Sequence, residues 1–391
     1  MERTGLNWIM RRTFLATCVL GLMTANCALA QDPQDPSFQY SREEETVYCL
    51  RVFWATAGAP TQFLMGVRDK DKDYGPYNRL EVIRFNRGQM IQRPITVPAS
   101  QPSAGPEVVA NFSPSGVLWF ATLAGGNQLR INRIKGTDVV DREIDLGKAE
   151  AAGDLVLSTL RAVSETEVWI TGRKAGNGML IKLSGINNTP EISHIAIPFG
   201  LKDSLLISNN EFVLAGTDYG DARSKVFAPT TRLALGGGDS KLRIQAPING
   251  LLQDISPVSS NLIAVLTSTP APGELSLHTV TTALEFRRSV TLLKEQSFTG
   301  RAFLASYRNF VIVYASNLGK CSVTVIEPDS GRLIRQESIA TGPERCIDIR
   351  AAANGNEVLL ATTLWRLEGN SFRVGVQAII RSMDDLVTSS R

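Results

Sequence analysis

The 391-residue sequence predicts an all-β fold: a β-propeller of seven four-stranded blades, with six or eight as the alternative counts. Three observations lead there. A polar or glycine residue followed by an apolar run recurs at Gln62, Gly116, Glu167, Glu211, Asn261, Asn309 and Glu357, in steps of 54, 51, 44, 50, 48 and 48 residues. Such near-constant spacing, about the length of four strands and their turns, marks an array of repeated units. Behind each run come a polar loop, an alternating strand, a turn with Gly or Asn, and another strand, and no convincing amphipathic helix follows Val47.

Taken in order, the chain begins with an address. Arg11 and Arg12 precede an apolar stretch from Phe14 to Ala25, and Ala28-Leu29-Ala30 supplies small residues before Gln31. Basic region, short apolar core and A-x-A site describe a cleaved signal peptide over residues 1–30, and the apolar core is short for a membrane span. Arg11-Arg12-Thr13-Phe14-Leu15 also fits twin-arginine export, although Met10 and Ala16 depart from its usual flanks. The expected location is periplasmic or secreted. Residues 31–46 mix Pro, Asp, Gln and Glu without periodicity and read as a flexible leader, and residues 47–391 form a single propeller domain.

The continuous apolar runs, such as FLMGV after Gln62 and FVIVYA after Asn309, suit inner strands buried on both faces between neighbouring blades. Residues 129–134 and 139–146, joined at Lys135-Gly136, are the alternating strands of the second unit. In the sixth, Cys321 to Ile326 is answered by Arg332 to Ile339 across Pro328-Asp329-Ser330-Gly331. Proline presets one turn dihedral there and glycine accepts a positive φ. Little chain follows Ile380, so the outer strand of the last blade comes from Met383 to Thr388 or from near the N-terminus.

The stretches around Val323-Thr324-Val325-Ile326-Glu327-Pro328-Asp329-Ser330-Gly331, Thr341-Gly342-Pro343 and Ala353-Asn354-Gly355 resemble the repeat of YVTN-type bacterial propellers. Ser113-Pro114-Ser115-Gly116-Val117-Leu118-Trp119-Phe120 resembles the blade motif of streptogramin-lyase-like propellers. The resemblance covers two or three blades and implies a fold and a compartment rather than an activity.

Composition excludes some functions. Hydrophobic residues make up 43% and charged residues 20%, so a packed core is expected. Net charge is +3, and loss of residues 1–30 removes Arg3, Arg11, Arg12 and Glu2 to leave +1, so nothing draws the chain as a whole to nucleic acid. Beyond the signal stand Cys49, Cys321 and Cys346. In an oxidising compartment one disulfide and one leftover thiol are expected. Cys321 with Cys346 is the preferred pair, closing a loop of ~25 residues worth about 3 kcal/mol, and Cys49 with Cys346 is the rival.

Chemistry-bearing residues are few. The two histidines, His194 and His278, fall in alternating outer-strand segments away from the axis, where propeller enzymes gather their catalytic groups. Asp69, Asp71 and Asp73 alternate in a loop, as a calcium site requires, but Tyr74 stands where an EF-hand has glycine, and Lys70 and Lys72 offset the charge. A solvated loop is the plainer reading and calcium the alternative; no other cofactor is expected. Gly236-Gly237-Gly238 is a hairpin turn with no helix behind it to hold a phosphate, and no Gly-x-Ser-x-Gly elbow occurs. Trp119 and Trp169 take equivalent places in their runs and read as inter-blade packing.

The loops after the apolar runs carry the best binding signal. Asp73-Tyr74-Gly75 recurs as Asp218-Tyr219-Gly220, and Arg68, Arg173, Arg223, Trp365 and Arg366 fall in equivalent loops, all expected on one face of the propeller. Tyrosine, tryptophan and arginine in polar loops compose a binding surface, although turns favour Asp and Gly in any case. The sequence therefore reads as a non-catalytic binding or scaffold module, foremost for protein partners. A lactonase- or lyase-like enzyme with a carboxylate or calcium site near the channel is the first alternative, and binding of a carbohydrate or the cell envelope is the second.

Overall fold

The seven apolar runs are the second strands of seven antiparallel sheets, each the blade of a β-propeller. The computed structural model describes residues 38–388 apart from 43, 55–59, 70–76, 78, 87–88, 92–93, 98–108, 124–127, 136–137, 146–154, 175–176, 187–188, 209–210, 221–227, 238–241, 271–272, 294–297, 340–341 and 369–370. The signal segment expected over residues 1–30 lies outside them. No described helix is long and apolar enough to cross a membrane.

Each run is preceded by the strand that faces the axis. These inner strands are Glu45–Phe53, Val109–Phe112, Val156–Ala162, Gly200–Leu206, Leu251–Ser259, Arg301–Tyr307 and Arg345–Asn354, for blades one to seven. The second strands are Thr61–Asp69, Leu118–Leu123, Val168–Lys174, Phe212–Asp218, Leu262–Ser268, Phe310–Asn317 and Glu357–Glu368. The apolar runs are therefore one strand further out than their placement as inner strands implied. The reason is physical: the second strand has a blade on both faces and a strand on both edges, whereas the inner strand turns one edge to the polar axis.

Seven apolar clusters, one at each boundary between neighbouring blades, hold the ring together. Ile170 and Trp119 pack between the second and third blades, Leu214 and Trp169 between the third and fourth. Trp119 and Trp169 are both buried, and Trp169 meets Phe212 edge-on at 5.5 Å, so both tryptophans are inter-blade packing residues as expected. The turn at Pro328-Asp329-Ser330-Gly331 joins Lys320–Glu327 to Arg332–Ser338, and Gly331 adopts the positive φ (71°) foreseen for it.

Ring closure uses the N-terminal side of the chain. Phe38–Ser41 pairs antiparallel with Ser371–Ser382, Phe38 opposite Ala378, and supplies the outer strand of the seventh blade. This strand lies inside residues 31–46, the segment read as a flexible leader. Within it Tyr40 packs edge-on against Phe85 at 6.5 Å. Met383–Thr388, the other candidate, is a short helix whose Met383, Leu386 and Val387 cap the core between blades six and seven.

Candidate functional site

The ends of the second strands and the starts of the inner strands meet at one end of the propeller, because the two are antiparallel neighbours in every blade. Arg68, Asp69, Arg173, Asp218, Tyr219, Trp365 and Arg366 all lie there, as the blade register predicts. Asp71, Asp73, Tyr74 and Arg223 lie outside the described residues. With two of its three carboxylates there, the proposed calcium loop has only Asp69 in view. Among the described residues no group of three His, Cys, Asp or Glu side chains is placed to hold a metal ion.

The structure joins some of these residues and separates others. Arg173 Nη1 donates to the hydroxyl of Tyr219 (3.4 Å), linking the third blade to the fourth. Asp218 accepts the Gly220 N–H at 3.0 Å and faces Arg232 at 3.4 Å, so it shapes the turn that presents Tyr219. Trp365 lies under the Arg345 guanidinium, 5.3 Å from its ring centre, and Arg366 pairs with Glu344 at 3.4 Å. Arg68 is clasped between Tyr48 and Tyr77 at 5.0 and 4.5 Å and packs within its own blade.

Arg173 and Tyr219 rim a recess of about 280 Å³ between the third, fourth and fifth blades. The recess shares Ser158, Lys202 and Gln253 with a larger axial cavity of about 580 Å³, which the inner strands line. Sequence reasoning offered a carboxylate site near the channel only as an alternative and named none of the residues that line this cavity. Arg51, Arg161, Lys202, Arg301 and Arg350 face it together with Asp203 and Asp254.

A repeated backbone irregularity positions the carboxylates. The inner strands shift register between Leu201 and Asp203, Leu252 and Asp254, and Cys346 and Asp348. Such a bulge inserts one residue and leaves an amide without a ladder partner. In each case the aspartate Oδ1 accepts the next N–H, from Ser204 (2.7 Å), Ile255 (2.9 Å) and Ile349 (2.9 Å), and Asn111 serves Phe112 alike at 2.8 Å. Leu201-Lys202-Asp203, Leu252-Gln253-Asp254 and Cys346-Ile347-Asp348 thus form a repeat, visible in the sequence with its aspartates eight to ten residues before the apolar runs.

Crowding in the ring shifts its titrations. Burial, and after it the Asp203 charge, lifts the Asp254 carboxyl to about 7, although the N–H groups of Leu304 and Ile255 and the Lys202 ammonium oppose the rise. Burial and then the neighbouring Arg350 pull Arg51 down to about 10. Burial also lowers Lys202, whose Nζ donates to the Leu252 carbonyl at 2.6 Å.

The remaining candidates are structural. His194 is exposed on the outer strand Glu191–Ile197 of the third blade. His278 belongs to the third strand, Leu275–Thr281, of the fifth blade rather than to an outer one. It is buried there, with Nε2 2.9 Å from Thr267 Oγ1. Cys321 is bonded to Cys346, so the preferred pairing is the one formed, and Cys49 stays a buried thiol that burial pushes up to about 12.

No protein-family model and no curated protein matches the sequence. Among solved structures, the polysaccharide lyase Uly1 is similar at a TM-score of 0.52, with 10% identity over 89% of this chain and 90% of that one. A variant of the Synechocystis apocarotenoid oxygenase is similar at 0.50, with 11% identity over 90% and 93%. At these identities the likeness supports the fold alone.

Proposed function

We propose that this protein is an exported, non-catalytic binding module that engages a protein partner through the end of the propeller where the second strands run out. The observation that carries this reading is Leu318. It stands in the turn Asn317-Leu318-Gly319 of the sixth blade, 65% exposed and with a left-handed backbone (φ 50°). A left-handed leucine costs roughly 1–2 kcal/mol, and its exposure adds nothing to the fold. Yet the turn is held firmly: Gly319 accepts the Cys346 N–H at 2.9 Å, and the Cys321–Cys346 disulfide ties the strand behind it to the next blade.

Other apolar side chains share this end. Tyr219, Val156, Ile347 and Leu367 are exposed beside Arg173, Arg345 and Lys320. Apolar and aromatic anchors with a basic rim fit a partner surface that is apolar at its centre and acidic around it. The disulfide fits an oxidising compartment, and together with the YVTN-like stretches around Val323 it supports the reading of an exported bacterial propeller.

The lyase- or lactonase-like alternative has one observation in its favour, the Asp254 carboxyl near 7 on the axial wall. Against it, both carboxylate oxygens are engaged by the N–H groups of Ile255 and Leu304.

Photo-crosslinking from position 318 in the native extracytoplasmic fraction tests the binding reading, with position 286, on an outer strand, as the control. A discrete adduct from 318 alone, lost in a Tyr219→Ala/Trp365→Ala variant, is the expected result. Equal labelling from both positions would remove the basis for this reading.

A further inference from the structure

The axial cavity carries chemistry that the loop face does not use. Tyr314, on the second strand of the sixth blade, is wholly buried, lines the cavity, and its hydroxyl has no hydrogen-bond partner. Arg350 of the seventh blade is 7% exposed and stacks over Phe303 at 4.1 Å. Its Nε donates to the Leu50 carbonyl (3.0 Å) and its Nη2 pairs with Asp348 (2.9 Å), but its Nη1 is buried without a partner. Across the axis in the third blade, Arg161 Nη2 reaches Asp203 at 3.4 Å while its Nε is likewise buried and unpaired.

Buried polar groups in folded proteins are almost always paired, and an exception points to a missing partner. Each of the three orphaned groups can donate: the two guanidinium N–H groups can only donate, the Tyr314 hydroxyl can donate or accept, and no unsatisfied side-chain carbonyl or carboxylate oxygen belongs to a described residue of the lining. The wall also holds five cationic side chains against the carboxyls of Asp203 and Asp254, with Asp348 beside it pairing Arg350 at 2.9 Å and Arg301 at 3.7 Å, so cations outnumber carboxyls there. Burial pulls Arg51, Lys202 and Arg350 all downward. What would satisfy this wall is an anion with several acceptor oxygens, and guanidinium groups match the planar carboxylate.

Placement sets the shape of that anion. Arg161 stands three blades from Tyr314 and three from Arg350 in a ring of seven, so the donors face each other across the axis. A volume of about 580 Å³ suits a small organic molecule. We propose that the axial cavity binds a small organic molecule with carboxylates at two ends, one held by Arg350 and Tyr314 and the other by Arg161. The recess beneath Tyr219 and Arg173, which shares Ser158, Lys202 and Gln253 with the cavity wall, is the proposed entry.

Calorimetric titration of the purified protein tests this at fixed pH and ionic strength. The probes are the dicarboxylates from succinate to adipate, the corresponding diamides, and inorganic phosphate. The expected result is saturable binding of at least one dicarboxylate, with the diamides silent and phosphate at least tenfold weaker. Tyr314→Phe should weaken the dicarboxylate about tenfold, and Arg161→Gln at least as much. Leu318→Asp, on the outer face, should bind normally, which keeps this result separate from that of the partner reading. Arg350→Gln removes a buried ion pair that the fold also uses, so the first two variants decide. Failure of the whole series to bind, equal binding of a diamide or of phosphate, or an unchanged affinity in Tyr314→Phe would overturn the proposal.

Discussion

Cys321 and Cys346 join the third strand of the sixth blade to the inner strand of the seventh, directly behind the turn that exposes Leu318. The bond spans a sequence separation of 25 residues. Closing a loop of that length stabilises a fold by about 3 kcal/mol. A Cys321→Ser/Cys346→Ser variant should lose stability of that order in urea unfolding, and reductant should lower the wild type to match it.

Leu318 should show a conflict between stability and function. Glycine adopts a left-handed backbone at no steric cost, so Leu318→Gly should raise stability by about 1 kcal/mol. The same variant should crosslink its partner poorly when the probe sits at the neighbouring position 320. Thermal unfolding and crosslinking yield report the two effects separately.

Tyr314→Phe makes a similar test in the core. The hydroxyl is buried without a partner, so its removal relieves a desolvation penalty of about 1 kcal/mol in the ligand-free protein. The melting temperature should rise without ligand and respond less to a dicarboxylate than that of the wild type.

Fold and site differ in how far the sequence reveals them. Buried second strands are apolar throughout, so runs such as Phe310 to Ala315 stand out and their spacing gives the blade count. Inner strands do not stand out, because one edge faces the axis and the bulges interrupt alternation. Leu252-Gln253-Asp254 looks like a turn in isolation, and only its echo in Leu201-Lys202-Asp203 reveals a ring. The closing strand was narrowed to the N-terminal side or Met383–Thr388 but not located, since Phe38–Ser41 sits among residues of leader-like composition and finds its partner more than three hundred residues away. Of the face residues, Arg173 and Tyr219 meet across two blades, a pairing the sequence did not single out, and Arg68 turns inward to two tyrosines no local pattern could place.

The two shifted acid–base groups should act on stability in opposite directions. An unfolded aspartate releases its proton near 4, but Asp254 keeps it to about 7, so the folded state binds the extra proton between these values. Stability from this group is therefore present at low pH and lost as pH rises from about 4 to about 7, by up to about 1.4 kcal/mol per pH unit. His278, lowered to about 4 by burial, stays neutral where the unfolded chain takes up a proton. Its contribution is lost as pH falls from about 6.5 to about 4. Urea unfolding across pH 4–8 should show Asp254→Asn without the first slope and His278→Gln without the second.

Removal of residues 1–41 should expose the edge of Ser371–Ser382 and lower the melting temperature. Light scattering on heating should rise with it, because a bare strand edge templates aggregation.

That same strand fixes a timetable for the molecule. Synthesised ahead of the blades, Phe38–Ser41 has no place to dock until Ser371–Ser382 has been made, more than three hundred residues later. Six blades can assemble on a growing polypeptide, but the clasp fastens only once the seventh has emerged. Until then the ring stays open, its bare edge exposed to whatever chaperone is at hand.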